Sequence, residues 1–300
     1  MDKKGLLLVC SGATIWGVAG VFVRALNSFG ITSMNIVFGR AMITVVFLAL
    51  LMLIIDRDAF KISLRHLWLF AANGILSIAM FNYCYYQTMK YTSLSVAAVL
   101  MYTAPFFVVV ISAIFFKERL TVKKGVACIV AFIGCCMVSG LVGSNQSISG
   151  KGLAFGLMTG FGYALYTVFG NMLLKRGYSS LTITFYSFAF SFLGSALLSD
   201  TVKTSVSIFT RPQVLGVFAA MAVFNTIIPY ILYTNGLDRI EASIAPIIAT
   251  IEPVAATVVG LLLFKEIPDI WGFLGIAVVL AAVVILNYTP KQRGDTAWKK

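Results

Sequence analysis

The sequence predicts an all-α integral membrane protein of ten transmembrane helices, arranged as two inverted five-helix repeats. Three observations carry this. Of 300 residues, 60% are hydrophobic and 11% charged, with a mean hydropathy of +0.95, too little charge to cover a soluble domain. Apolar runs of the roughly 20 residues that a bilayer crossing needs recur along the whole chain. The chain also repeats itself: "PFFVVVISAIFFKERLT" at 105–121 returns as "PVAATVVGLLLFKEIPD" at 253–269, and in both copies a proline precedes a Lys-Glu pair by twelve residues.

The ten runs fall at about 5–26, 33–55, 67–89, 94–116, 123–142, 152–174, 180–198, 213–236, 243–264 and 270–287. None alternates apolar and polar residues as a transmembrane β-barrel strand does. The first run follows "MDKK" and could pass for a signal peptide. It is long enough to span, however, and "GLLLVCSGATIWGVAGVF" is echoed by "GLAFGLMTGFGYALYTVF" at 152–169, so it is expected to stay in the mature protein. The match continues in spans 3–4 and 8–9, where Pro105 and Pro253 share their 148-residue offset with Ser95 and Ser243. The units are residues 1–143 (spans 1–5) and 150–300 (spans 6–10, with a short basic tail), joined by "GSNQSISGKG". Five spans is an odd number, so the second unit starts from the opposite side of the membrane. Inverted repeats of this kind are characteristic of secondary transporters.

Cytoplasmic loops carry the excess of Lys and Arg. With the N-terminus inside, sixteen of the 23 basic residues face the cytoplasm, six face out, and Arg40 lies within a span. Both termini are therefore expected in the cytoplasm. The net charge of +12 is a basic ring suited to anionic headgroups, and nucleic acid is not needed to explain it.

Ionisable groups deep in a span are functional suspects. Glu252 lies nine residues into span 9, about 14 Å deep at 1.5 Å per residue, beyond the reach of the interface. It is expected to bind a cationic part of a solute or to take up a coupling proton, since desolvation favours a neutral carboxyl. Arg40, about 10 Å into span 2, can snorkel to the headgroups; a structural role is favoured, with a pair to Glu252 left open. Small-molecule sites combine apolar walls with a few placed polar groups. Trp16, Asn82, Tyr102, Tyr163, Asn225 and Tyr230 are the wall candidates, with Tyr83, Tyr86 and Gln87 beside them. Proline kinks an interior helix, so Pro105 and Pro253 are expected as hinges. The Lys-Glu pairs mark exits from the membrane.

Cys10, Cys84, Cys128, Cys135 and Cys136 lie in apolar segments without ligand spacing. No phosphate-binding loop is present, and no cofactor or metal is expected. "NQS" at 145–147 fits a glycosylation acceptor on an outer loop. The alternative to a transporter is an intramembrane lipid-modifying enzyme, for which Asp56, Asp58 and His66 form the one candidate cluster.

Ten spans in two halves, "TAPFFVVVISAIFFKERLT", its partner "IEPVAATVVGLLLFKEIPD" and an arginine in span 2 together resemble the EamA-type transporters of the drug/metabolite transporter superfamily. The resemblance covers nearly the whole chain. "KEIPD" departs from the family pattern, in which an arginine and a hydroxyl residue are commoner. The resemblance implies a multi-pass carrier of the bacterial plasma membrane that exports a small metabolite or amino acid, with a cavity lined by spans 1, 3, 4, 6, 8 and 9. Proton coupling is the usual expectation, an importer is an alternative, and monomer and homodimer both stay open.

Overall fold

The computed structural model describes residues 2–142 and 149–287. The NQS pattern, most of the connecting segment and the basic tail lie outside them. Among the described residues the regular structure is helical, without strands, and every predicted run is helix. Run 1 is α1 (Lys3–Trp16) and α2 (Ala19–Ser28), and run 2 is α3 (Ser33–Ile55). Run 3 is α4 (Leu67–Gly74), a π-helical turn Ile75–Met80 and α5 (Phe81–Tyr91). Run 4 is α6 (Leu94–Met101) and α7 (Ala104–Phe116), and run 5 is α8 (Val122–Val138).

The second half opens with α9 (Gly150–Leu174) and α10 (Ser180–Ala196), the latter followed by α11 (Thr201–Thr210). Then come α12 (Pro212–Ala220), a π-helical turn Met221–Ile227 and α13 (Ile228–Leu237). Finally there are α14 (Ala245–Ala249), α15 (Glu252–Phe264) and α16 (Ile270–Asn287). Among the described residues, seven helical segments are long and apolar enough to cross a membrane; α10 with α11 makes an eighth if taken as one span bent by 118°. The protein is thus a multi-pass membrane protein. Helix α8, at 17 residues, is among those shorter than this measure.

Helix starts follow capping chemistry. Asp2, Ser93, Thr121, Ser149, Ser179 and Asp200 each accept a backbone N–H from the first turn of the helix they precede, satisfying donors that have no intrahelical partner. Helices α7 and α15 end alike: Lys117 and Lys265 both adopt the left-handed conformation at φ 57°. The following amides, of Glu118 and Glu266, then donate back to Ser112 O and Gly260 O at 3.3 and 3.1 Å.

Packing exchanges elements between the halves. Helix α1 lies on α13 and α5 on α9, while α3 meets α10 and α8 meets α16. At the last of these contacts the backbones nearly touch: a Cβ on Gly134 would come within 2.8 Å of Val279 N, and one on Gly275 within 2.7 Å of Val138 N. Glycine is what allows this approach. The central core joins Val9, Ala13, Tyr166, Tyr233 and Ile247 from both halves.

The first span fixes the two ends of the bundle. Asp2 pairs with Arg239 at 3.7 Å, close to the segment held by Glu118, and Arg24 pairs with Glu266 at 2.8 Å. The two Lys-Glu pairs therefore sit at opposite ends of that span.

Candidate functional site

Three spans break at the same level, and each break presents a side chain to one cavity. Helix α1 stops at Trp16, and Gly17 caps it before α2 resumes. Tyr102 stands between α6 and α7. Glu252 occupies the first turn of α15, just after the break at Thr250–Ile251. Irregular backbone at membrane depth is tolerated where it lines a cavity or finds side-chain partners, and these breaks do both. Asn225 donates its amide to Ile15 O and Trp16 O at 3.3 and 3.4 Å. Thr103 and Thr250 each return a hydroxyl proton to the carbonyl three residues back, both at 2.6 Å.

Pro105 and Pro253 lie in the first turns of α7 and α15, where the missing N–H has no helical acceptor to lose. Each starts the second helix of its span just after the break, and Pro253 also lines the cavity. Glu252, next to Pro253, lies in the first turn of α15.

The cavity has a volume of about 470 Å³ and is lined by Trp16, Tyr85, Tyr102 and Glu252 at depth, with Ser95, Arg24 and Glu266 towards its mouth. Helix α1 approaches α15 closely here: a Cβ on Gly17 would fall 2.8 Å from Ala256 N and 2.9 Å from Glu252 O. No ion pair joins Glu252 to a cation among the described residues, and none joins it to Arg40. Mostly apolar walls with one deep carboxylate suit a small solute carrying a positive group.

Other candidates lie behind the lining. Tyr230 packs edge-on to Trp16 at 5.1 Å and Tyr163 at 6.4 Å, so both set the indole's orientation. Tyr166 and Tyr233 bond to Thr234 and Thr167 at 3.0 and 2.7 Å, closing the layer beneath. Arg40 is one ring further out, its guanidinium 6.0 Å from Phe188, which itself stacks edge-on to Tyr230 at 4.9 Å. Asn82 turns its amide to Ile78 O in its own span, at 2.7 Å. Tyr85 was missed by sequence reasoning; the available signal was its three-residue spacing from Asn82, one helical turn on. Tyr83, which was singled out, faces Phe155 instead.

The cluster considered for catalysis is engaged in local structure. Asp56 caps the turn at Asp58 N at 3.1 Å, Asp58 pairs with Lys61 at 2.6 Å, and His66 Nδ1 meets Tyr178 Oη at 2.9 Å. The Lys61 hydrogen bond holds Asp58 below the ordinary carboxylate range.

The model of the EamA-like transporter family matches residues 3–140 and again 150–288. The chain belongs to the EamA-like transporter family. Sequence comparison finds relatives that are named as transporters. One from Archaeoglobus fulgidus, an "uncharacterized transporter", is 27% identical over 95% of this chain and 98% of its own length. The "uncharacterized inner membrane transporter YicL" of Salmonella typhimurium is 24% identical over 98% and 99%. A solved crystal structure shares the fold at a TM-score of 0.77 and 12% identity, covering 95% of this chain and 97% of the other. The cavity described above is therefore a cavity in a member of a transporter family.

Proposed function

We propose that this EamA member is a secondary active transporter with ten spans in two inverted repeats, both termini in the cytoplasm of a bacterial cell, exporting a small metabolite across the plasma membrane. The cargo is an amino acid or a related amphiphilic solute. Glu252 receives its ammonium group or, between cargo molecules, a proton, and alternating access moves the cavity mouth from one side to the other. The single observation that carries this reading is the carboxylate of Glu252 at the floor of an aromatic cavity, with no cation paired to it among the described residues. A deep carboxylate without a cation is costly at rest and gains a partner when a cationic group arrives. The placement of equivalent Lys-Glu pairs at opposite ends of the first span supports the inverted arrangement, and the lysine and arginine bias supports the orientation.

The test compares the medium around cells expressing wild type with cells expressing equal amounts of Glu252→Gln, which keeps the shape and removes the charge. A solute that accumulates outside with wild type falls at least about tenfold in the variant, the loss expected for one charged hydrogen bond. Export at the wild-type rate with an unchanged pH dependence sinks the role of Glu252.

A further inference from the structure

The cavity is open at one end and shut at the other, and the shut end has a specific chemistry. There Glu118 accepts the backbone N–H of Ala242 at 2.8 Å and of Ser243 at 3.2 Å, and the Ser243 hydroxyl donates to it as well. Lys124 approaches its Oε2 at 3.5 Å and also pairs with Glu241. A carboxylate of the first repeat thus holds the start of span 9, in the second repeat.

The open end contains the same parts, separated. Residues Leu94 and Ser95 stand 148 positions before Ala242 and Ser243, as Glu118 stands 148 before Glu266. Ser93 caps Val96 N at 3.2 Å and, through its carbonyl, Ala97 N at 3.0 Å, which leaves the first two amides of α6 without a helical acceptor. Leu94, Ser95 and Glu266 all line the cavity mouth. Glu266 spends Oε1 on Arg24, and a carboxylate has lone pairs for about four donors, so Oε2 can take more.

Building on the transporter reading, we propose that Glu118 and Glu266 are paired gate residues. Each shuts its own end of the cavity by taking up the two leading amides and the serine hydroxyl of the span that opens there in the other repeat. Glu118 does so now with Ala242 and Ser243; in the opposite state Glu266 does so with Leu94 and Ser95. The two gates differ in their cations. The position 148 beyond Lys124 is Gly272, and Arg24 reaches Glu266 from α2 instead. The Lys124–Glu118–Glu241 cluster biases the empty protein towards the state seen here.

The experiment measures the mouth itself and needs no cargo. In the full chain with its five cysteines replaced, spin labels at Leu94→Cys and Ile267→Cys, which leave every backbone amide in place, report the width of the open end in lipid nanodiscs by electron–electron resonance. With native gates the wide distance dominates. Glu118→Gln raises the ratio of narrow to wide roughly tenfold, and adding Glu266→Gln reverses that gain. Ser243→Ala, which removes a single hydroxyl contact, moves the ratio the same way by less and serves if Glu118→Gln does not run as a folded peak on gel filtration. A distribution that stays wide in both gate variants, or a narrow population indifferent to Glu266→Gln, overturns the proposal. A mouth that switches in a chain with no exported solute counts against the transport reading alone; a chain that exports while its mouth ignores both carboxylates counts against the gates alone.

Discussion

The two Lys-Glu ends share sequence, cap and backbone angle, yet Glu118 and Glu266 live in different surroundings. The Glu118 side chain is 11% exposed beside a Lys124 that is 7% exposed, whereas Glu266 and Arg24 are each more than half exposed. Both lysines sit at φ 57° and both glutamate amides bond back into the preceding helix. Repeated sequence thus reproduces local structure, and the position of the rest of the bundle decides what that structure does. A carboxylate whose partners have closed around it is a structural bond; the same carboxylate facing an open mouth is a group in waiting.

The largest expected difference comes from removing each carboxylate. Glu118→Ala strands Lys124 with its remaining contact to Glu241 and leaves two amides unpaired, a loss of about 3–5 kcal/mol. Glu266→Ala breaks an exposed pair and loses at most about 1 kcal/mol. Denaturation of the purified protein in detergent, followed by helical circular dichroism, checks this, and equal losses break the comparison.

Next come the cations. Lys124→Met is expected to lower stability by about 1.5–3 kcal/mol, the range for a hydrogen bond to a charged group, while Arg24→Met stays within about 1 kcal/mol. The same melts read both.

Smaller still, Lys117→Gly and Lys265→Gly relieve a left-handed backbone that glycine adopts freely, for a gain of about 0.5–1 kcal/mol each. This gain should be equal at the two ends, since it depends on local angle and not on surroundings. Unequal gains would show that the caps are less alike than their dihedral angles.

The smallest effect is that of salt. Raising ionic strength towards 1 M shortens the screening length to about 3 Å, which weakens Arg24–Glu266 and leaves the buried Glu118 cluster nearly untouched. Glu266→Ala should therefore lose its small stability deficit in high salt, and Glu118→Ala should keep its large one.

Much of this architecture was legible in the sequence. All ten apolar runs are helical, and the 148-residue offset correctly paired Pro105 with Pro253 and Lys117 with Lys265. The breaks were not legible. A span that is apolar on every face carries no periodic signal for a π-helical turn such as Met221–Ile227, and proline marked where spans 4 and 9 break but not how the broken ends are capped. Depth alone singled out Glu252, and Trp16 and Tyr102 also line the cavity. Arg24 and Glu266 escaped because their pairing spans 242 residues and exists only once α2 and α15 end side by side. Asn225 stood out as a buried amide, but its partners are two main-chain carbonyls of α1, which no side-chain pattern announces.

The sharp turn after α10 bears on the lipid around the protein. Helix α10 has 17 residues and α9 has 25, about 26 and 38 Å of rise, and beyond α10 the chain swings by 118° into α11, which exposes Val202, Val206 and Phe209. A hydrocarbon layer about 30 Å thick meets a wall on this flank that is a few ångströms too low, and α11 forms a shallow apolar ledge at its rim. Acyl chains there must compress to match it, at a fraction of a kcal/mol per ångström. The perimeter of the molecule is accordingly uneven in height, and bilayers of shorter-chain lipids fit this flank with the least elastic strain.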